Sequence, residues 1–344
     1  MALITAAPVT PVAAPYNTNP AYSGTFIPTI WSSKLNAKFY AASTFADICN
    51  KDWEGEVSNV GDKVVINTIP DIAIRDYVAG QNLQYDVPRP GTIEMVLDRG
   101  KYWGFSVNDV LELQSKPDQM DMFTNDASEQ MRTVMDSTCL YRTLLSTPSS
   151  GSAEDGVVAA NRGATAGRRS QSFNLGTDTA PVDLSTANEA LNVILRMASV
   201  LDEQNIPESG RWLLIDPLTR TLLMQSNLAQ AQFMGDDKSM VRNGLIGTID
   251  RFKVYVTNQL PFKVNGQAFW TSGDASETQI AGSSHGVRVR LLAAGHTSAI
   301  TFANQIAKTE TLRNPTDFGD LVRGINIFGH RVVKGTAVTT AIVA

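Results

Sequence analysis

One five-residue pattern in the sequence could form a serine nucleophile. Gly282, Ser284 and Gly286 fit G-x-S-x-G, in which a sharp turn between a strand and a helix exposes the serine hydroxyl. The residues that follow, 287–292, alternate like a strand, and the surrounding stretch is rich in glycine and serine. We therefore interpret the pattern as a polar hairpin turn and expect no catalytic residue there.

The three histidines are the other residues that could act as bases or metal ligands. None of His285, His296 and His330 has a partner three or four residues away, as an HExxH metal site on a helix requires. A hydrolase that uses Ser284 with His296 or His330 is one alternative, which a serine-reactive probe that labels nothing would exclude. No glycine-rich phosphate loop of either common type occurs. We predict no enzyme activity, no metal and no cofactor.

Charged clusters are few. The pairs Asp202-Glu203 and Asp236-Asp237 have no recognisable scaffold around them, and we interpret both as solvated surface. A small basic cluster contains Arg162, Arg168 and Arg169. It is typical of solvated loop charge, and the functional alternative is a contact with an acidic neighbour or with enclosed nucleic acid.

The composition of the chain excludes some functional classes and favours others. The net charge is -5, whereas a protein that grips nucleic acid by itself usually carries a basic face. Charged residues make up only 18%, below the usual quarter, which suggests that much of the surface meets protein rather than water. Cys49 and Cys139 form no CxxC pair and are expected to be buried, reduced thiols.

The first 28 residues contain five prolines among alanine, threonine and asparagine, and such a segment should be extended, without a core of its own. It lacks the basic and apolar regions of a secretory signal, and no stretch of the chain approaches the length of a membrane span. We expect a protein that is made and assembled in cytoplasm.

The spacings of three and four between apolar residues at 30–48 predict a short amphipathic helix.

Two further stretches show clear periodicity. At 60–105, a strand-like run at 63–69 and an alternating run at 93–97 flank a polar, turn-rich segment. This predicts a long two-stranded excursion with a flexible tip, which is marginal in water by itself and must lie on something. Residues 118–146 carry apolar side chains at spacings of three and four, which predicts a helix about 40 Å long.

The remainder mixes helices and strands. Residues 147–183 are rich in Ser, Gly, Ala and Thr and predict a long surface loop. A helix should follow Thr186, which with Glu189 matches a capping box, and another should open at Pro217. Because helices and strands do not alternate strictly, the pattern favours an α+β fold. Strands are expected at 211–216, 252–256, 267–271, 286–293 and 298–304.

An extended arm, a long ribbon and a glycine-rich flap that all reach outward indicate an interlocking structural subunit, stabilised by its neighbours. The order of parts resembles the major capsid proteins of tailed bacteriophages, with the Hong Kong 97-like fold. The stretches that carry the resemblance are GDKVVINTIPDIAIRDYVAGQNL, WGFSVNDVLELQSKPDQMDMFTNDASEQM, RWLLIDPLTRTLL, IGTIDRFKVYVTNQLP and VRGINIFGHRVVKGTAV. The fourth has Arg251 where the family commonly has glycine and Thr257 where serine is common. The capsid proteins of short-tailed phages are the most similar in length.

The resemblance implies an N-terminal arm, an extended β-hairpin loop, a long spine helix, and peripheral and axial domains. Some relatives cross-link covalently through a lysine in the extended loop, but no lysine occurs between Val64 and Gly100. The implied division is: arm and short helix, 1–48; extended loop and flanking strands, 49–107; spine helix and glycine-rich loop of the peripheral domain, 108–183; axial domain with part of the peripheral domain, 184–260; remainder of the axial domain and closing peripheral strands, 261–344.

The implied function is that of a shell subunit, which forms pentamers and hexamers of an icosahedral head around double-stranded DNA. A separate scaffolding protein and a portal are the implied partners, and the virion is the implied location. Near the loop tip, Arg75, Asp76 and Arg89 are candidates for salt bridges between subunits. The main alternative is an encapsulin, a bacterial nanocompartment with the same fold, although encapsulins typically begin with a helix rather than a proline-rich segment.

Overall fold

The computed structural model describes residues 43–52, 63–70, 72–77, 79–82, 84–97, 99–108, 119–145, 156–184, 186–226, 248–264, 288–315 and 319–344. The helices in these ranges are α1 (Phe45–Ile48), α2 (Gln119–Leu145), α3 (Ala187–Glu203) and α4 (Pro217–Gln225). The strands are β1 (Lys63–Thr68), β2 (Gly91–Val96), β3 (Arg99–Asn108), β4 (Arg211–Ile215), β5 (Thr248–Ile249), β6 (Phe252–Val256), β7 (Phe262–Val264), β8 (Arg288–His296), β9 (Ile300–Arg313), β10 (Gly319–Val332) and β11 (Val338–Val343). The expected α+β class is confirmed.

The predicted ribbon exists, but it is shorter than the sequence suggested. Strands β1 and β2 pair antiparallel from Lys63↔Val96 to Thr68↔Gly91. The expectation that the ribbon extends to residue 105 is wrong, because β3 leaves it and pairs with β10 along its whole length. The cause is the apolar face of β3: Trp103 and Phe105 are half-buried, and this face packs on a helix and not on the other strands of the ribbon.

That helix is α2, which agrees with the predicted 118–146. It covers one face of a three-stranded antiparallel sheet of order β3-β10-β9. The Phe123 ring of α2 meets the Phe105 ring of β3 edge-on at 5.8 Å, and Trp103 stacks on Phe105 at 5.6 Å. Gly324 of β10 makes room for this stack, since a Cβ atom there would lie 2.5 Å from the Trp103 ring.

A second sheet, of order β11-β8-β4-β6-β5 with β7 also paired to β8, lies between two apolar cores. Every residue of β4 is buried, as its continuous apolar run predicted. Leu213 and Ile215 of β4 pack in the core covered by α3, whereas Trp212 and Leu214 pack in the core that contains Leu140 of α2. Each face of the sheet is thereby buried by a different helix.

The described part of the glycine-rich segment, 156–183, packs against the second sheet, which corrects the prediction of a surface loop for these residues. Within its described part, Val157, Ala166, Leu175 and Val182 are buried. Asn161 is fully buried and donates from Nδ2 to the carbonyl oxygens of 336 and 338, at 2.7 and 2.9 Å. Composition alone did not reveal this, because the buried apolar residues stand singly among small polar ones.

Helix starts were predicted with mixed success. Pro217 opens α4 as expected, and the Asp216 side chain accepts from the Thr219 amide at 3.2 Å. The capping box at Thr186 is wrong: the residue is the N-cap of α3, but its side chain makes no capping hydrogen bond. Glu189 instead forms an ion pair of 2.7 Å with Arg196, which lies on the same exposed side of the helix.

Several predictions fall partly or wholly outside the described residues. The proline-rich arm and the strand at 267–271 lie outside them, and of the helix at 30–48 only the part from Phe45 is described. The strands expected at 286–293 and 298–304 are observed as β8 and β9. None of the helices in the described ranges has the length and apolar content needed to cross a bilayer.

Candidate functional site

The loop between β1 and β2, residues 69–90, is the most exposed apolar segment of the described chain. Ile69, Ile72, Ile74, Tyr77, Tyr85 and Val87 expose between 65% and 99% of their surface. Monomeric proteins rarely leave apolar side chains in a contiguous group uncovered, so such a group marks a surface that another molecule covers. We refer to residues 69–90 as the hairpin loop.

An ion pair joins the two arms of the hairpin loop. Arg75 donates from Nη2 to Oδ1 of Asp86 at 2.7 Å and from Nη1 to the carbonyl oxygen of Gln84 at 3.1 Å. The hydrogen bond from Arg75 lowers the pKa of Asp86. Both side chains are more than one third exposed, so the pair contributes little to the free energy of folding. Its effect is to hold the two arms of the hairpin loop next to each other.

The three site residues predicted from sequence therefore differ in their surroundings. Arg75 is engaged with Asp86 inside its own chain. Asp76 and Arg89 are exposed on the hairpin loop, and neither forms an ion pair with the described residues. Sequence reasoning treated this stretch as polar and turn-rich and missed its exposed isoleucines and tyrosines. The signal was present in the alternation of Ile72 and Ile74 within IPDIAIRDY.

A second exposed surface lies on the face of the three-stranded sheet opposite α2. Tyr102, Ile325 and Lys308 are direct neighbours across the three strands, and Tyr102 is 84% exposed. Beside them Glu310 accepts from Lys308 and from Nη2 of Arg323, the latter at 2.8 Å. These two cations lower the pKa of Glu310 to about 2. An aromatic, an aliphatic and three charged groups thus form a shallow depression of about 340 Å³.

His296 and His330, the histidines considered as partners of Ser284, each have other surroundings in the described chain. His296 hydrogen bonds through Nδ1 to Ser298, both to the hydroxyl at 2.8 Å and to the amide at 3.1 Å. His330 is buried beside Phe45, and burial lowers its pKa to about 3. Ser284 and His285 lie outside the described residues. No group of three or more metal-ligating side chains occurs among the residues that the structure describes.

The predicted thiols are confirmed as buried and free. Cys49 is 9% exposed and Cys139 is 1% exposed. Burial raises the pKa of Cys49 and raises that of Cys139 to about 12. Neither group is therefore a thiolate at neutral pH, and neither is a candidate nucleophile.

The pair Asp202-Glu203 lies at the surface, as predicted, and both carboxylates also make contacts within the chain. Asp202 accepts from the buried Arg211 guanidinium at 2.7 Å. Glu203 accepts from the amides of Arg169 and Ser170, at 2.8 and 3.2 Å, and these bonds lower its pKa. Asp202 thus contacts the start of β4, and Glu203 contacts the loop at 169–170. Asp236-Asp237 lies outside the described residues.

The arrangement is that of a protein with interaction surfaces and without an assembled catalytic centre in its described part. The hairpin loop with uncovered apolar side chains, the long helix and the two sheets agree with the Hong Kong 97-like fold that the sequence resembles. Family comparison then identifies the group: residues 92–338 match the model of the phage capsid protein family. The chain belongs to that family and is a capsid shell subunit.

Solved phage capsids share the fold over nearly the whole chain. A solved structure from Mycobacterium phage Che8 is 20% identical, with a TM-score of 0.66, over 93% of this chain and 97% of that one. The capsid of Cyanophage P-SCSP1u is 15% identical, with a TM-score of 0.66, over 100% and 99%. The capsid of Ralstonia phage GP4 is 12% identical, with a TM-score of 0.59, over 95% and 97%. No curated protein matches the sequence significantly.

Proposed function

We infer that this protein assembles with copies of itself into the pentamers and hexamers of an icosahedral phage head. The observation that carries the proposal is the uncovered apolar surface of the hairpin loop, where Ile74 alone is 99% exposed. Burying one isoleucine side chain contributes about 2 kcal/mol, so a loop that covers several of them against a neighbour supplies a substantial driving force for assembly.

The head encloses double-stranded DNA without binding a specific sequence. A net charge of -5 supports this, because a shell that must release its genome gains nothing from a tight grip on phosphate. A separate scaffolding protein and a portal are the further partners, and assembly takes place in the bacterial cytoplasm. The length of 344 residues suits the short-tailed phages. The protein acts as a structural component and not as an enzyme.

Exposed charges of the hairpin loop contribute contacts between subunits. Asp76 and Arg89 project beside the apolar side chains, and Arg75 holds the loop in shape through Asp86. In the proposed head, residues 1–48 form the arm and a short helix, and 49–107 form the extended loop and its flanking strands. The spine helix with the glycine-rich segment, at 108–183, belongs to the peripheral domain. Residues 184–260 form the axial domain with part of the peripheral domain, and 261–344 form the remainder of the axial domain and the closing peripheral strands.

Electron microscopy of the purified protein, expressed alone and with its scaffolding protein, tests the proposal. We expect closed shells of tens of nanometres that are uniform in size only when the scaffolding protein is present. Uniform small shells from the protein alone would instead indicate an encapsulin-type nanocompartment. A monodisperse monomer or dimer in both preparations would contradict assembly itself.

A further inference from the structure

A half-open cavity of about 450 Å³ lies where the C-terminal end of α2 meets the second sheet. Its apolar wall consists of Leu144 and Leu145 of α2, Leu291 of β8 and Ile342 of β11. A volume of this size accommodates two or three side chains, and mostly apolar walls with a few polar or charged groups, here Arg162 and Asp178, are typical of a recognition site.

The glycine-rich segment forms the rim of the cavity and is held rigidly. The Leu175 amide donates to the Gly163 carbonyl oxygen at 2.9 Å, and the Ile342 amide donates to that of Leu175 at 2.8 Å. Gly176 has φ +80°, and a Cβ atom there would lie 2.1 Å from the Ile342 carbonyl oxygen. The close approach fixes the rim on β11, so the cavity exists before anything binds.

Arg162 lines the cavity and has no counter-ion in the described part of the chain. Burial alone lowers the pKa of its guanidinium, and no neighbouring carboxylate counteracts that effect. The one acidic residue on the rim, Asp178, already pairs with the buried Lys263 amine. A partly desolvated guanidinium in an apolar cavity fits a carboxylate that arrives with apolar neighbours.

The hairpin loop presents that chemistry. Asp76 has no ionic partner among the described residues, and it stands between Ile74, 99% exposed, and Tyr77, 74% exposed. Side chains as exposed as these do not occupy a cavity of their own chain. The molecule that receives them must therefore be a second copy or a different protein, and the charge match with Arg162 favours a second copy.

We propose that the cavity around Arg162 of one subunit receives Asp76 of the hairpin loop of another subunit, with Ile74 or Tyr77 against the leucines of the wall. This inference rests on the proposed assembly into shells. It assigns the exposed Asp76 an ionic partner and fixes the position at which the hairpin loop binds the neighbouring subunit. Asp86, the other acidic residue among the described residues of the hairpin loop, cannot take the same role, because it is already paired with Arg75.

Charge exchange tests the pairing. Asp76→Arg and Arg162→Glu should each lower the yield of closed shells at least about tenfold, since an unpaired charge at an interface costs that factor or more. The double variant should recover to within about threefold of the wild type. Arg168→Glu, at an exposed arginine of the same segment, is the matched control and should assemble normally. Single variants that assemble like the wild type, or a double variant no better than either single, would overturn the pairing.

Cross-linking separates this inference from the assembly on which it rests. Asp76→Cys and Arg162→Cys in one chain, treated with a short bismaleimide, should give covalent multimers from assembled shells and none from either single variant. The native thiols are buried, so their background reaction is small. Shells that form normally but give no multimers would contradict the site alone, whereas a wild-type chain that forms no shells would contradict the proposed function.

Discussion

Oδ2 of Asp136, in the middle of α2, accepts a hydrogen bond of 2.7 Å from the backbone amide of Thr44, at the start of α1. The same carboxylate accepts from the Phe45 amide at 3.3 Å and from the Ser43 hydroxyl at 2.8 Å. One side chain of the long helix therefore caps a helix more than ninety residues earlier in the chain. Burial raises the pKa of Asp136 in spite of these three donors.

Removal of the Asp136 carboxylate should loosen α1. Asp136→Ala leaves two buried amides without an acceptor, and we expect the free energy of unfolding to fall by about 2 to 3 kcal/mol. Asp136→Asn keeps one acceptor oxygen and should cost about half as much. Urea denaturation of the unassembled subunit measures both. Glu129→Gln, at an exposed carboxylate of α2 paired with Arg132, is the control, and a loss there as large as that of Asp136→Ala would contradict a specific cap.

His330 should make the subunit sensitive to acid. Its folded-state pKa of about 3 lies below the ordinary value of 6.5. Between these two pH values the imidazole is protonated in the unfolded chain and neutral in the folded chain. The stability from this group is complete above pH 6.5 and is lost as the pH falls toward 3. Between pH 7 and pH 5 the free energy of unfolding should fall by about 2 kcal/mol from this group.

Replacement of His330 tests the origin of that loss. Neither ring nitrogen has a hydrogen-bond partner among the described residues, so His330→Leu should fold at pH 7 and lose most of the acid dependence. Thermal unfolding at pH 7 and pH 5 gives the comparison, with His296→Gln as a control that keeps the dependence. An unchanged acid loss in His330→Leu would assign it to other groups.

Two glycines of the three-stranded sheet form a matched pair. A Cβ atom at Gly324 would lie 2.5 Å from the Trp103 ring, whereas at Gly104 the nearest atom would be 3.6 Å away. We expect Gly324→Ala to lower the free energy of unfolding by about 1 to 3 kcal/mol through overpacking. Gly104→Ala should be neutral or slightly stabilising, and equal effects at the two positions would show that the Trp103 stack is not a constraint.

The exposed isoleucines should matter for assembly and not for folding. Ile74→Ser removes apolar surface that nothing covers in the single chain, so its thermal midpoint should remain that of the wild type. The yield of closed shells should fall about tenfold or more, since burial of this side chain contributes about 2 kcal/mol at each interface. Gln81→Ser, at an exposed polar position of the same loop, is the control and should assemble normally. Normal assembly of Ile74→Ser would show that the isoleucine is not buried in the shell.

Local signals in the sequence were sufficient for the elements with strong periodicity. The stripe at 118–146 predicted α2 within two residues, and the apolar run at 211–216 predicted β4. The pairing of β3 with β10 was not predictable, because it joins residues more than two hundred positions apart. The capping of α1 by Asp136 was not predictable either, because in the sequence Asp136 is an ordinary polar residue of a helix. Its role depends on the tertiary structure, which places α1 beside it.

The candidate site was predicted only in part. Sequence reasoning found the hairpin loop and its charges at Asp76 and Arg89, because turn residues and charge are visible locally. It missed that Arg75 is already paired and that Ile74 is uncovered, since exposure depends on which surfaces the chain leaves open. The cavity at Arg162 brings together α2, β8, β11 and the glycine-rich segment, and no spacing within one stretch indicates such a site.

A cryo-electron microscopy reconstruction of the particles that form with the scaffolding protein tests the central claim most directly. We predict a closed icosahedral shell of pentamers and hexamers, in which Ile74 and its apolar neighbours on the hairpin loop are buried against an adjacent subunit. A closed shell that leaves this loop exposed to solvent, or particles without fivefold and sixfold capsomers, would contradict the account.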